Sequence, residues 1–152
     1  MTEKRRVEVT LSRGQGRIVS TIVTGFAALR HVGLVARRNF CCCSSCALAA
    51  LSNEYDRDKK HRDKLGFAFF HRQDGAALKL TGYVDVRHGV FPRQRESEAK
   101  RHGRAIEVAR IVVATLSEAG LSTAWDGKQT STIVAHGAEL RARAIATLRL
   151  VG

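Results

Sequence analysis

All four cysteines of this chain fall within six residues, Cys41-Cys42-Cys43-Ser44-Ser45-Cys46. This clustering constrains the fold more than any other feature of the sequence. The residues before it, Leu34 to Phe40, form a short extended run. Those after it, Ala47 to Leu51, form an alanine-rich helical run. The thiols therefore occupy a turn at which the chain passes from strand to helix. Thiols dispersed through a core indicate packing, whereas thiols confined to one turn point to local chemistry.

Three kinds of chemistry suit that turn, together with a bland alternative. Cys43 and Cys46, as Cys-x-x-Cys across a turn, can bite one zinc ion, which needs about four N or S ligands in a tetrahedron. Cys42 and His71 are the residues expected to complete the set if the strand carrying His71 lies beside the turn. The second reading is redox: Cys43 at a helix N-terminus has its thiolate favoured by the amide dipoles, and Cys46 is the resolving thiol. The third is hydrolytic, with a cysteine nucleophile, His71 as base and Asp74 orienting it. The bland alternative is that two cysteines pack in the core as small hydrophobes and the others are incidental. Consecutive residues point different ways, so one or two of the four are incidental under any reading. No second Cys-x-x-Cys or His pair accompanies the turn, as a zinc finger or ribbon would require.

Adjacent cysteines make poor disulfide partners. The Val7 to Leu11 stretch alternates with polar residues, where a secretory signal is continuously apolar. A reducing cytoplasm is therefore the expected compartment. No apolar run approaches the ~20 residues that span a bilayer, so no membrane partner is expected.

The chain is 152 residues long and 44% hydrophobic, with one proline, which suits a single folded domain over 1–152. Its 26 basic residues exceed its 14 acidic ones, giving a formal charge of +12. Such a field attracts polyanions, nucleic acid first and an acidic protein second. The expected contacts are Arg87, Arg93, Arg95, Lys100, Arg101 and Arg104, with a basic arm over 1–6 assisting. No helix-turn-helix or other base-reading element is legible, so only non-specific contact is expected.

Period and punctuation give the elements. Val7, Val9 and Leu11 alternate as a strand does, and Arg13 to Arg17 reads as a turn. Ile18, Ile22, Phe26 and Leu29 recur at helical spacing, with Gly33 as the stop. Leu65 to His71 is an aromatic strand, with Phe67, Phe69 and His71 on one face and Ala68 and Phe70 on the other. Leu78 to Val86 alternates as another strand, with Leu78, Leu80, Val84 and Val86 inward. The segments 53–64 and 87–103 read as exposed polar loops.

Arg104 to Ala119 is the second long helix, burying Ala105, Ala109, Val112, Val113 and Leu116, and Gly120 caps it. A strand over Leu121 to Trp125, an Asp126-Gly127 turn, a strand over Ser131 to Ala135 and a helix over Ala138 to Leu148 complete the chain. The fold class is α+β: two layers, with helices on one face of a mixed sheet of about four to six strands.

Gly25-Phe26-Ala27-Ala28-Leu29, Gly33-Leu34-Val35-Ala36-Arg37, Asn39-Phe40, the Cys42, Cys43 and Cys46 motif, Phe69-Phe70-His71-x-Gln73-Asp74 and Trp125-Asp126-Gly127 occur in an order that resembles the bacterial DUF6891 family. The resemblance covers about residues 25–135. It implies a shared fold and no established activity, and places the family's cysteine motif on Cys42, Cys43 and Cys46 and its histidine motif on His71, Gln73 and Asp74. The chain departs from the pattern in the extra Cys41, in Ala47 where Gly is usual and in Gly75 where Thr is usual. The sequence therefore reads as a small basic cytoplasmic protein, a non-enzymatic binding or accessory factor with a Cys-rich zinc site. The alternative is a thiol-dependent enzyme or redox protein.

Overall fold

Two long helices and five short strands organise the chain, in the order α1 (Thr2–His31), β1 (Leu34–Arg37), α2 (Ser44–Arg57), β2 (Gly66–Phe69), α3 (Arg72–Thr81), β3 (Tyr83–Gly89), α4 (Glu98–Glu118), β4 (Leu121–Ala124) and β5 (Ile133–Gly137). A short 3-10 helix, Lys59–Asp63, follows α2. The computed structural model describes residues 2–57 and 59–137, and side chains within 17–57 and 61–137. The helix expected over Ala138 to Leu148 lies outside the described residues.

The strands form one mixed sheet in the order β1-β2-β3-β5-β4. β1 and β2 run parallel, with Leu34 opposite Gly66 and Arg37 opposite Phe69. The remaining pairs are antiparallel. A parallel pair needs a crossover, and α2 supplies it. The α+β class and the mixed sheet expected from the pattern are thus present.

α1 and α4 share one face. Ile18, Ile22, Phe26 and Leu29 of α1 and Val108, Ala109, Val112 and Leu116 of α4 meet Ala36, Ala68, Val84, Val86, Ile133 and Ala135 of the sheet in the main core. Gly25 lets the two helices approach: a Cβ there would stand 2.9 Å from Leu116 Cδ2. On the opposite face, at the β1–β2 edge, α2 lays Ala47 and Leu51 over Val35, Phe67, Phe69 and Phe91. β2 is buried on both faces: its Phe67 and Phe69 enter one core, and Ala68 with the following Phe70 the other, as the alternation predicts.

Four expectations are corrected. The strand over Val7 to Leu11 and the turn after it are part of α1, as are residues 2–6 of the basic arm. Five alternating residues do not exclude a helix, and Gly14 and Gly16 of the expected turn cost only about 1 kcal/mol each inside one. Extending an established helix is also easier than nucleating a strand beside it.

The alternation over Leu78 to Val86 divides into α3 and β3, leaving Leu78 buried and Leu80 85% exposed. Residues two apart share a strand face but lie roughly 200° apart on a helix. What sets the helix is its punctuation: a capping box between His71 and Asp74 at the start, and Gly82 at φ +76° at the stop.

The segment 53–64 is mostly helical, through the end of α2 and the 3-10 turn. In the segment 87–103 only residues 90–97 are irregular, because Ser97 caps α4 by accepting from the Lys100 N–H. Among the described residues, no helix is long and apolar enough to cross a membrane.

Candidate metal centre

The cysteine turn begins where edge strand β1 ends. Asn39 and Cys41 both adopt left-handed backbone, at φ +50° and +61°, a region that non-glycine residues seldom enter. This reverses the chain and delivers Cys42 and Cys43 to the start of α2. Backbone bonds hold the reversal against the β2–α3 connection: Phe40 N–H donates to Phe70 O at 2.9 Å, and Arg72 N–H to Cys41 O at 3.0 Å. The aromatic strand thus lies beside the turn, as zinc binding with His71 would require. Asn39 also occupies the space beside Gly75, where a Cβ would collide with Asn39 Oδ1.

Cys42, Cys43 and Cys46 bring their sulfurs together, all within 4.8 Å of one another. Cys42 Sγ lies 3.8 Å from Cys43 Sγ and 3.6 Å from Cys46 Sγ. All four cysteines are free thiols. Sulfurs bound at about 2.3 Å to one tetrahedral ion stand roughly 3.8 Å apart, so the observed separations match a shared ion with little rearrangement. Cys42 and Cys46 are exposed and Cys43 is half-buried. Cys41 is the incidental one: it packs against the α2-side core with Phe40 and Tyr55.

Electrostatics separate the thiols. Cys43 immediately precedes α2, and the Cys46 N–H points at its sulfur, assisted by the Cys46 and Cys42 thiols and the Ser45 N–H. Together they hold the Cys43 thiol below its ordinary range. Cys46, whose own thiol serves Cys43 and which stands near the Cys42 and Cys43 sulfurs, is pushed up to about 11.

His71 does not join the sulfurs. It is buried at the head of α3, where its Nδ1 accepts the Asp74 N–H at 3.3 Å. Its own N–H donates to Asp74 Oδ2 at 3.4 Å. Its Nε2 lies 3.2 Å from Asp74 Oδ2 and 3.3 Å from Arg87 Nη2. Both ring nitrogens are therefore engaged at the head of α3. The expected metal set contracts to three cysteines, and the hydrolytic Cys–His71–Asp74 arrangement is not assembled. An aromatic strand face is compatible with either use of a histidine. The Asp three residues on, repeating the spacing of a capping box, is the signal for the second.

The expected nucleic-acid contacts are also divided. Arg104 forms a two-pronged pair with Glu96, Nε to Oε2 at 2.6 Å and Nη2 to Oε1 at 2.7 Å, and donates to Phe91 O at 2.9 Å. Arg101 stands 3.6 Å from the same carboxylate. Arg87 faces His71 and, at 3.9 Å, Asp74. Of the six, only Arg93, Arg95 and Lys100 are exposed, and Arg93 adds to the field on Glu96. Glu96 is the residue that net charge and spacing do not single out. An acid inside an arginine-rich stretch is the signal that it neutralises its neighbours.

Fold and site together define a small α+β protein with a three-thiol turn at the end of an edge strand. The chain belongs to the family described as a domain of unknown function (DUF6891), whose model matches residues 21–144. No curated protein and no solved structure matches the chain.

Proposed function

We propose that this protein is a non-enzymatic metal-binding accessory protein, holding one zinc ion per chain through the thiolates of Cys42, Cys43 and Cys46. The observation that carries the reading is the grouping of three free sulfurs at the separations a single ion requires. Cys43, with its lowered pKa, is the first thiol to supply a thiolate. With His71 engaged elsewhere, the fourth position faces solvent, where water or a donor from a partner completes the tetrahedron. Arg93, Arg95 and Lys100 are the side chains free to meet a polyanion such as nucleic acid, non-specifically and in a salt-dependent way.

Native mass spectrometry of the full chain, purified without chelator and supplied with zinc, tests the reading. One zinc per chain is expected, with Cys43→Ser losing it and Cys41→Ser retaining it. Zinc-free protein, or equal loss in both variants, overturns it.

One observation favours a second reading, thiol–disulfide exchange: the opposed shifts of Cys43 and Cys46 suit an attacking and a resolving thiol. Under a disulfide oxidant this reading expects a Cys43–Cys46 bond, with two hydrogens passing to the oxidant.

A further inference from the structure

The reversed loop also borders an open recess of about 490 Å³, lined by none of the three grouped cysteines, whose lining includes four arginines, Arg30, Arg37, Arg38 and Arg72, together with Phe40 and Cys41. No carboxylate lines it. Arg37 is neutralised, through Nη1 to Glu54 Oε1 at 2.7 Å and Nη2 to Oε2 at 2.6 Å, and its guanidinium lies 4.8 Å from the Phe40 ring centre. Arg30 uses one nitrogen to donate to Ala36 O at 3.1 Å, leaving its charge unbalanced. Arg38 and Arg72 are exposed and have no ion pair with any described residue. Three uncompensated guanidinium groups thus border one recess that Phe40 also lines.

Like charges brought together without a counter-ion repel one another. A site that keeps them so is suited to an anion that neutralises them when it arrives. Guanidinium forks match tetrahedral and planar oxyanions in particular. The two left-handed residues, Asn39 and Cys41, flank Phe40 in the chain and line the recess with it. Backbone held in such a region is a recurrent companion of ligand sites.

We infer that this recess binds a small phosphorylated organic molecule, its phosphate between Arg38 and Arg72 with Arg30 adding charge, and its apolar part against Phe40. A volume of this size suits a small molecule. The arginines surround one recess, whereas a nucleic-acid backbone requires a track of spaced cations. The inference does not depend on the metal reading, since Cys41 is outside the sulfur group.

Phenyl phosphate is the probe, titrated into the full-length labelled protein at constant ionic strength and followed by amide NMR shifts. Saturable shifts are expected at Cys41 and Arg72, weakened about tenfold or more in the Arg38→Ala/Arg72→Ala double variant and partly restored by Arg72→Lys in the Arg38→Ala background. Both arginines are exposed, so the variants should retain the wild-type spectrum elsewhere. Non-saturable shifts, shifts that chloride reproduces, or an unchanged affinity in the double variant would overturn the inference. A short oligothymidylate that displaces the probe and binds more tightly would overturn it too, by making the occupant nucleic acid.

Discussion

The cysteine turn and the basic segment from Arg87 to Arg104 are the two stretches in which the sequence concentrates one kind of chemistry, yet the fold treats them oppositely. In the turn, a left-handed reversal and a helix start bring like groups together and leave three of the four uncommitted to packing. In the basic segment, Glu96 draws in Arg104 and Arg101, while Arg87 faces the α3 cap. Counting residues of one type therefore overstates the second region and describes the first fairly. Thiols have no abundant internal partner to claim them, whereas arginines meet carboxylates and carbonyls wherever a loop must be fastened.

The contrast can be broken at Arg104. Its guanidinium joins α4 to Glu96 and to the Phe91 carbonyl, and Phe91 stacks on Tyr55 at 4.8 Å in the α2-side core. Arg104→Ala is expected to lower the melting temperature by several degrees, because it leaves a largely covered carboxylate and a carbonyl without their donor. The Arg93→Ala/Arg95→Ala double variant should melt with the wild type. It should instead flatten the salt dependence of any nucleic-acid binding, by about one unit of log–log slope per lost phosphate contact. Thermal denaturation of both variants decides. Equal melting temperatures would mean that Arg104 is as free as its neighbours and that the contrast is wrong.

Alkylation sharpens the thiol side. Because the Cys46 N–H and the neighbouring thiols favour the Cys43 thiolate, the Cys43 rate should begin to rise with pH below the ordinary thiol range. Cys46, at about 11, should remain a thiol through neutrality. Iodoacetamide labelling of metal-free protein at pH 7, read by fragment mass spectrometry, should therefore find Cys43 modified first. Cys46 reacting first, or indistinguishable rates, would remove the proposed role of the helix start.

Much of this architecture is legible in the residues. Ile18, Ile22, Phe26 and Leu29 identify the buried stripe of α1 because a helix laying one face on a core places its apolar residues at that spacing. Gly33 and Gly120, at φ +104° and +105°, mark the stops of both long helices because residues with a Cβ seldom adopt that backbone. Leu78 and Leu80 mislead because two leucines two apart read as one strand face, whereas on the helix that forms only Leu78 is buried, and the deciding information lies in the His71–Asp74 box. At the site, the sulfur group is local in sequence and can be read there. The engagement of His71 with Arg87 depends on β3 lying next to α3, a non-local fact that spacing does not encode. Asn39 beside Gly75 belongs to the same class.

The smallest expected effect compares two carboxylates, one from each region. Glu96 is held below its ordinary range first by the Arg104 hydrogen bond. Glu54, behind the cysteine turn, is held down first by the Arg37 hydrogen bond, with His61 adding to it. A carboxylate whose folded pKa is depressed contributes stability that is present above its unfolded pKa, near 4.5. That contribution is lost as pH falls through the lower folded value. The stability gap between wild type and Glu96→Gln should therefore be open at pH 6 and narrow steadily below about pH 4.5, as should the gap for Glu54→Gln. Glu96 is the more enclosed, with 7% of its side chain exposed against 37% for Glu54. Solvent screens its pairing less, so its gap at pH 6 should be the wider. Urea midpoints of the three proteins at pH 6 and pH 3.5 measure both differences. A wider gap for Glu54→Gln would make the Arg37 pair, beside the thiol turn, the stronger fastening and reverse the ranking of the two regions.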